Sequence, residues 1–184
     1  KDESLRQVMA WKLGLAVPRA AILKINGMRT LTDLKGRESV KLIRGPFHAV
    51  LHKESRRIDM YIARPGLSPV FVGRMPVAVA ADTAPPVGVY LVGGKLLNAP
   101  WVPPPGSDDT GRKLPGERGY PLGPEGHWIS LRREGAPRGF GLHGGQPQTV
   151  PKSLKTGCIG LRNADIEKLF SLVFGGSSIV VVRE

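Results

Sequence analysis

From Phe47 onward the chain alternates apolar and polar positions in short runs. "FHAVLHK" and "RIDMYIA" have the period of two that puts successive side chains on opposite faces of a strand, with a turn at Glu54-Ser55 between them. "PVFVGRMPVAVA", "VGVYLVGG", "HWISL" and "GFGLHG" follow as further strand segments divided by glycine and proline, and "SSIVVV" closes the chain as a buried strand. One later segment has a different period. "ADIEKLFSLVFGG" places Ile166, Leu169, Phe170 and Val173 on one helical face, with Asn163 positioned as N-cap. The chain from residue 45 to 184 therefore reads as mainly β, a sandwich or partly open barrel with one packed helix.

The first 44 residues are different. "SLRQVMAWKLG" carries Leu5, Val8, Met9 and Leu13 at helical spacing, and "VPRAAILKING" reads as a second short helix ended by Asn26-Gly27. "SVKLI" is a candidate strand. Two short helices and a strand bury little core alone, so residues 1–44 read as a small module and residues 45–184 as the main domain. A third texture lies at 101–126, where "WVPPPGSDDTGRKLPGERGYPLGPEG" has no periodicity. Long aperiodic loops in compact domains are often functional, and the interspersed Trp101, Val102, Leu114 and Tyr120 suggest a lid.

Charge narrows the partners. The formal net charge is +12, and residues 1–45 hold ten Lys/Arg against four Asp/Glu. Such a balance favours an anionic partner. Nucleic acid is disfavoured: aromatic residues make up only 6% of the chain, and no nucleic-acid-binding motif is present. No apolar run is long enough for a membrane span. The chain begins at Lys1 without a signal-peptide pattern, which is expected of a mature form or a fragment.

The single cysteine, Cys158, cannot form an internal disulfide. It follows His143 by fifteen positions in "HGGQPQTVPKSLKTGCIGL". His143 ends the "GFGLH" strand beside a Gly-Gly turn, a place where a side chain can face a cleft. A thiol with a nearby imidazole is a nucleophile with its base. Gly157 would let backbone approach a reacting carbonyl, and the amides of Gly157 and Cys158 could form an oxyanion hole. A buried structural thiol remains the alternative. His48 and His52, four apart on one strand face, lack the Glu of a helical zinc motif and read as ordinary surface histidines. No metal or other cofactor is expected.

"HGGQPQTVPKSLKTGCIGLRNADIEKLF" resembles the signature of the L,D-transpeptidase catalytic domain, the YkuD family. "RGPFHAVLHKESRRIDMYI" is similar to that family's opening hairpin, and "PPVGVYLVGGKLLNAP" to its turn, strand and Asn-Pro. The resemblance covers residues 45–184 and implies a β-sandwich with one packed helix. Residues 2–44, through "ESLRQVMAWKLGLAVPRAAILKINGM" and "SVKLI", resemble part of a LysM module, which implies binding to the glycan of peptidoglycan.

The resemblance implies a cysteinyl acyltransferase acting on tetrapeptide stems in an extracytoplasmic compartment. Cys158 would form a thioester, His143 would carry the proton, and the Gly144 carbonyl would orient the imidazole. Terminal D-alanine would leave, and a second stem's amine would complete a 3→3 cross-link. Water as acceptor would make an L,D-carboxypeptidase, and a non-catalytic wall-binding protein is the third reading. Lys155 stands where the family has Ser/Thr, Thr156 where it often has His, and Gly160 where it often has Arg. Arg162, on the same face as Cys158 in an extended segment, is the expected substitute for carboxylate binding. Lys155 within ~7 Å of the sulfur would favour the thiolate by roughly 1 kcal/mol at an effective dielectric near ~40.

Overall fold

The computed structural model describes residues 22–23, 25–34, 39–41, 47–64, 66–79, 83–103, 111–135, 139–146, 157–174 and 177–184. Most of the predicted N-terminal module lies outside these residues, including all of its first helix. Within it, the second helix does end at Asn26-Gly27, with Gly27 at φ 61°. Ser39–Lys41 form no strand. Lys41 is instead held by Asn26, whose side chain accepts from its N–H and donates to its carbonyl, both at 2.8 Å.

The main domain has nine strands and one described helix. The strands are β1 (Phe47–His52), β2 (Arg57–Arg64), β3 (Leu67–Pro76), β4 (Ala78–Val79), β5 (Gly88–Leu96), β6 (Trp128–Arg132), β7 (Gly141–Gln146), β8 (Ile159–Arg162) and β9 (Ser178–Val182). The helix, α1, spans Asn163–Leu172. All nine strands join one sheet in the order β3-β2-β1-β9-β5-β6-β7-β8-β4. The pairs β1–β9 and β7–β8 are parallel and the rest antiparallel.

The two edge strands, β3 and β4, are consecutive in the chain and separated by Val77 alone. The ends of the sheet must therefore meet, and a flat sheet is impossible. Curling is what brings Ile58 and Met60 of β2 into one apolar cluster with Ile159 and Leu161 of β8. The two layers of the expected sandwich are thus two halves of one curled sheet, which leaves few strand edges unpaired.

Alternation decides which residues face inward. In β1 the buried positions are Phe47, Ala49 and Leu51; in β9, Ile179 and Val181; in β5, Tyr90 and Val92; in β6, Ile129 and Leu131. Helix α1 packs on β7 and β8 and adds Ile166 and Leu169, with Val173 just past its end, to the same cluster. Lys95 of β5 fixes the far end of the helix. Its Nζ donates to the carbonyls of Phe170 at 2.5 Å and Val173 at 2.8 Å, and lies 4.5 Å from the Phe170 ring centroid. A cation on the unsatisfied carbonyls of a helix C-terminus complements its dipole. Burial lowers the Lys95 pKa from its ordinary 10.5.

The outer face of β1–β3 holds His48 and His52, which are not the plain surface residues expected. His48 Nδ1 accepts from the Ser178 N–H at 3.1 Å and lies 2.6 Å from the Ser178 hydroxyl. His52 Nε2 lies 3.4 Å from Asp59 Oδ2, outside hydrogen-bond geometry, so both of its ring nitrogens are buried without such a bond. Asp59 is itself only 3% exposed and receives a two-pronged bond from Arg74, Nε to Oδ1 at 2.7 Å and Nη2 to Oδ2 at 2.9 Å. That fork ties β2 to the edge strand β3. The described residues hold no cluster of three or more His, Cys, Asp or Glu able to bind a metal.

The Arg74 bond holds the Asp59 carboxyl below its ordinary 3.8. A depressed carboxylate stabilises the fold above its unfolded pKa and loses that contribution as pH falls through the folded value. Asp59→Asn should therefore be less stable than wild type at neutral pH in urea denaturation. The gap should close as pH falls below 3.8. A gap independent of pH would show that the charge is not what ties the edge.

Candidate active site

The sheet brings the predicted pair together through two neighbouring strands. β7 and β8 run parallel, with Leu142 beside Ile159 and His143 beside Gly160. Leu142, Ile159 and Leu161 point into the core. Alternation therefore turns His143, Gly160 and Arg162 to the other face, where Cys158, two positions before Gly160, also belongs. Cys158 is half-buried and in no disulfide. Lys155 and Thr156 lie outside the described residues.

His143 is 6% exposed, and its ring is fixed on two sides. Its Nδ1–H donates to the Gly144 carbonyl at 2.6 Å. With the proton on Nδ1, the neutral ring presents Nε2 as an acceptor. On the other side Trp128, its partner across β6–β7, lies nearly parallel to it, at 11° and 6.1 Å between centroids. The indole fits there because position 141 is glycine: a Cβ at Gly141 would collide with the ring. Burial lowers the His143 pKa below its ordinary 6.5, and the bond to Gly144 opposes this in part. The ring is thus neutral at pH 7 and able to take a proton.

The strand does not end at His143 in a Gly-Gly turn: β7 runs on to Gln146, and the bond from Nδ1 depends on a crowded bulge where the register against β8 shifts between His143 and Gln146. Gly145 has φ 86° and lies so close to the Pro121 carbonyl that no side chain fits. A Cβ at Gly144 would come within 2.8 Å of Asn163 Oδ1 and 3.1 Å of the Leu122 carbonyl. Asn163 Oδ1 accepts the Gly145 N–H at 2.8 Å. Asn163 was read as the N-cap of the helix. It is instead the first helical residue, with Arg162 in the cap position and no side-chain cap bond. Its side chain is used to hold the His-Gly-Gly bulge of β7 against the helix.

The segment read as a lid supplies the opposite wall of that bulge. Trp101 and Lys113 exchange backbone bonds at 2.9 Å within it, and its later part is pinned to the domain: Tyr120 donates to the Ala99 carbonyl at 2.5 Å, the Asn98 N–H donates to the Glu125 carbonyl at 2.9 Å, and Leu122 is buried. Residues 121–123 are therefore a fixed support for the His143 bulge. Gly157 is also confined, since a Cβ there would come within 2.7 Å of the Thr83 carbonyl and 3.2 Å of Phe140. Arg162, the expected carboxylate binder, is engaged elsewhere: its Nε bonds Asp165 Oδ2 at 2.5 Å. Sequence reading missed Trp128, although "HWISL" places it on the same alternating face as Ser130. It also missed the positioning use of Asn163.

Comparison with known proteins agrees with this architecture. Residues 50–182 match the YkuD family, described as the L,D-transpeptidase catalytic domain, and the chain belongs to that family. Among solved structures it is similar to an L,D-transpeptidase from Mycobacterium smegmatis, with 15% identity and TM-score 0.53, covering 78% of this chain and 64% of that one. It is also similar to L,D-transpeptidase 3 from Mycobacterium tuberculosis in complex with a faropenem-derived adduct, at 20% identity and TM-score 0.53, with coverage of 77% and 61%. Bd1075 of Bdellovibrio bacteriovorus matches at 18% identity and TM-score 0.52, with coverage of 76% and 48%. The chain thus spans between about half and two-thirds of the length of these structures. No curated protein matches the chain.

Asn163→Ala would leave the Gly145 N–H without its partner and should destabilise the protein by about 1–2 kcal/mol in urea denaturation. A change within error would show that solvent replaces the bond. The imidazole of His143 should titrate in NMR with a midpoint below 6.5. A midpoint above that value would contradict a buried neutral ring.

Proposed function

We propose that the protein is a peptidoglycan L,D-transpeptidase working through Cys158 and His143. The observation that carries this reading is the buried His143, with Nδ1 committed to the Gly144 carbonyl and Nε2 left as acceptor, on the strand beside the one that Cys158 leads into. Family membership and the resemblance of the Cys158 segment support the same assignment.

In this mechanism Nε2 of His143 takes the thiol proton and Cys158 Sγ attacks the carbonyl between the third residue of a tetrapeptide stem and its terminal D-alanine. The amides of Gly157 and Cys158 would stabilise the oxyanion. The imidazolium returns its proton to the departing D-alanine amine, leaving a thioester. A second stem's amine then attacks, loses a proton to His143 and releases the thiol with a 3→3 cross-link formed. The committed Nδ1 keeps the ring from turning between the two proton transfers. Gly144 serves as a positioning residue, and neither metal nor cofactor enters a step. Lys155, if close to the sulfur, would favour the thiolate. Arg162 would contribute to substrate binding only by leaving Asp165.

The place of action on this reading is outside the cytoplasm, on wall stems and glycan. Among the described residues no helix is long and apolar enough to cross a membrane. Residues 1–44 would act as a partial LysM-like wall-binding module beside a catalytic domain of residues 45–184, and the segment 101–126 would border the site.

Purified enzyme with soluble tetrapeptide muropeptides should yield D-alanine and 3→3 dimers by mass spectrometry. Tripeptide without dimer would assign the carboxypeptidase reading, and no turnover would leave wall binding. Cys158→Ala should abolish turnover, and His143→Ala should lower it by at least ~10²-fold, the scale of a lost acid–base group. Near-full activity in either variant would end the reading. L,D-transpeptidase 3 from Mycobacterium tuberculosis forms a complex with a faropenem-derived adduct. A carbapenem should correspondingly add its mass to wild type and not to Cys158→Ala.

A further inference from the structure

An open groove of about 960 Å³ adjoins the site, within the size range of sites for small ligands and short peptides. It lies on the outer face of β5 and β6, and Trp128, whose ring lies parallel to the His143 imidazole, is one of its walls. Phe140, which packs against Gly157, is another. The floor is apolar: Val89 and Leu91 are 58% and 54% exposed. Large apolar side chains left open beside a reactive pair need a use.

The groove also holds charge. Arg133 is committed, with its Nη1 donating to the Val87 carbonyl at 2.7 Å and its guanidinium 5.7 Å from the Tyr90 ring centroid. Arg132 is exposed, and beyond its backbone pairing with Leu91 no hydrogen bond or ion pair ties its side chain to any described residue. Its side chain lies back across Gly93, where a Cβ would collide with Arg132 Nε and Cδ. Glycine at 93 therefore makes room for this cation over the groove. Glu134, at the far rim, forms no ion pair with it.

Sheet geometry gives the reach. β6 pairs with β7 and β7 with β8, and Ser130 stands level with Gly141. Arg132 is two residues further along, on the Cys158 side of His143. Because the Arg132 side chain lies across Gly93 of β5, level with Ser130, three strand spacings of ~4.8 Å, about 14 Å, separate its guanidinium from the Cys158 backbone. An extended peptide spans ~3.4 Å per residue. Two or three residues and an acidic side chain therefore cover the distance.

We propose that this groove seats the acyl-donor peptide upstream of the bond being broken, and that Arg132 binds a free carboxylate two or three residues before the reacting carbonyl. The proposal rests on the transpeptidase reading for the identity of the reacting bond, but not for the binding itself. The apolar floor takes the extended backbone and aliphatic parts of the stem. The guanidinium recognises the carboxylate, and so distinguishes an acidic stem from one whose acid is amidated. Arg162 is bonded to Asp165 and does not compete for this role.

The test compares two soluble tetrapeptide donors that differ only in that acidic residue, one with a free carboxylate and one with a carboxamide. Binding to full-length Cys158→Ala is read by calorimetry, so that it is measured whether or not turnover occurs. The acid should bind at least about tenfold more tightly than the amide, the scale of a charge-assisted bond. Adding Arg132→Ala should bring the ratio close to one, Arg132→Lys should retain part of it, and Arg132→Glu should invert it. In the active enzyme, Arg132→Ala should raise KM for the acidic donor with little change in kcat. A wild-type preference that persists in Arg132→Ala, or no preference at all, overturns the assignment. Carboxylate-dependent binding without any turnover would refute the transpeptidase reading and leave this one standing.

Discussion

The site depends on one short hydrogen bond, from His143 Nδ1–H to the carbonyl of the next residue. An imidazole bonded to the next carbonyl of its own strand cannot rotate without breaking that bond. The bulge cannot move either, because Gly144 and Gly145 are pressed between the Pro121–Gly123 backbone and the first residue of α1. The tautomer is therefore set by backbone packing, and no carboxylate is needed as a third member. Trp128 and burial keep the ring neutral by excluding water, while the Gly144 carbonyl partly offsets that cost.

The curled sheet makes this arrangement possible. Parallel pairing of β7 and β8 sets His143 beside Gly160, two positions after Cys158. The same curl joins the two sheet edges at Val77, so β4 lies against β8 and pairs Ala78 with Gly160. The strand that Cys158 leads into is thereby held on both sides. Rigid neighbours on each flank suit a nucleophile whose geometry matters more than its exposure.

Much of this was legible in the sequence, for identifiable reasons. Period-two runs marked β1 and β2, because a half-buried strand writes its two faces into the chain, while apolar segments divided by glycine and proline marked β3, β5, β6, β7 and the buried β9. The period-3.6 run of Ile166, Leu169 and Val173 marked the helix. β8 was less visible, since "IGLR" is too short to show a period. Asn163 was misjudged because helix-capping residues are also good acceptors for any nearby N–H, and only the fold shows which donor is near. The lid reading of 101–126 rested on composition, which cannot reveal that Tyr120 and Leu122 anchor part of it. The Arg162 reading followed strand alternation correctly but could not foresee competition from Asp165 one helical turn away. His48 and His52 looked unremarkable because their partners, Ser178 and Asp59, come from other strands.

On this reading the Gly144 carbonyl fixes the proton of His143 on Nδ1 and leaves Nε2 bare. Nitrogen NMR of the histidine-labelled protein, with His143→Ala used to assign the signal, reads this directly at pH 7. The account predicts a neutral ring with a pyrrole-type Nδ1 and a pyridine-type Nε2, unaffected by alkylation of other groups. A neutral ring protonated at Nε2, or a mixture of the two tautomers, would contradict it.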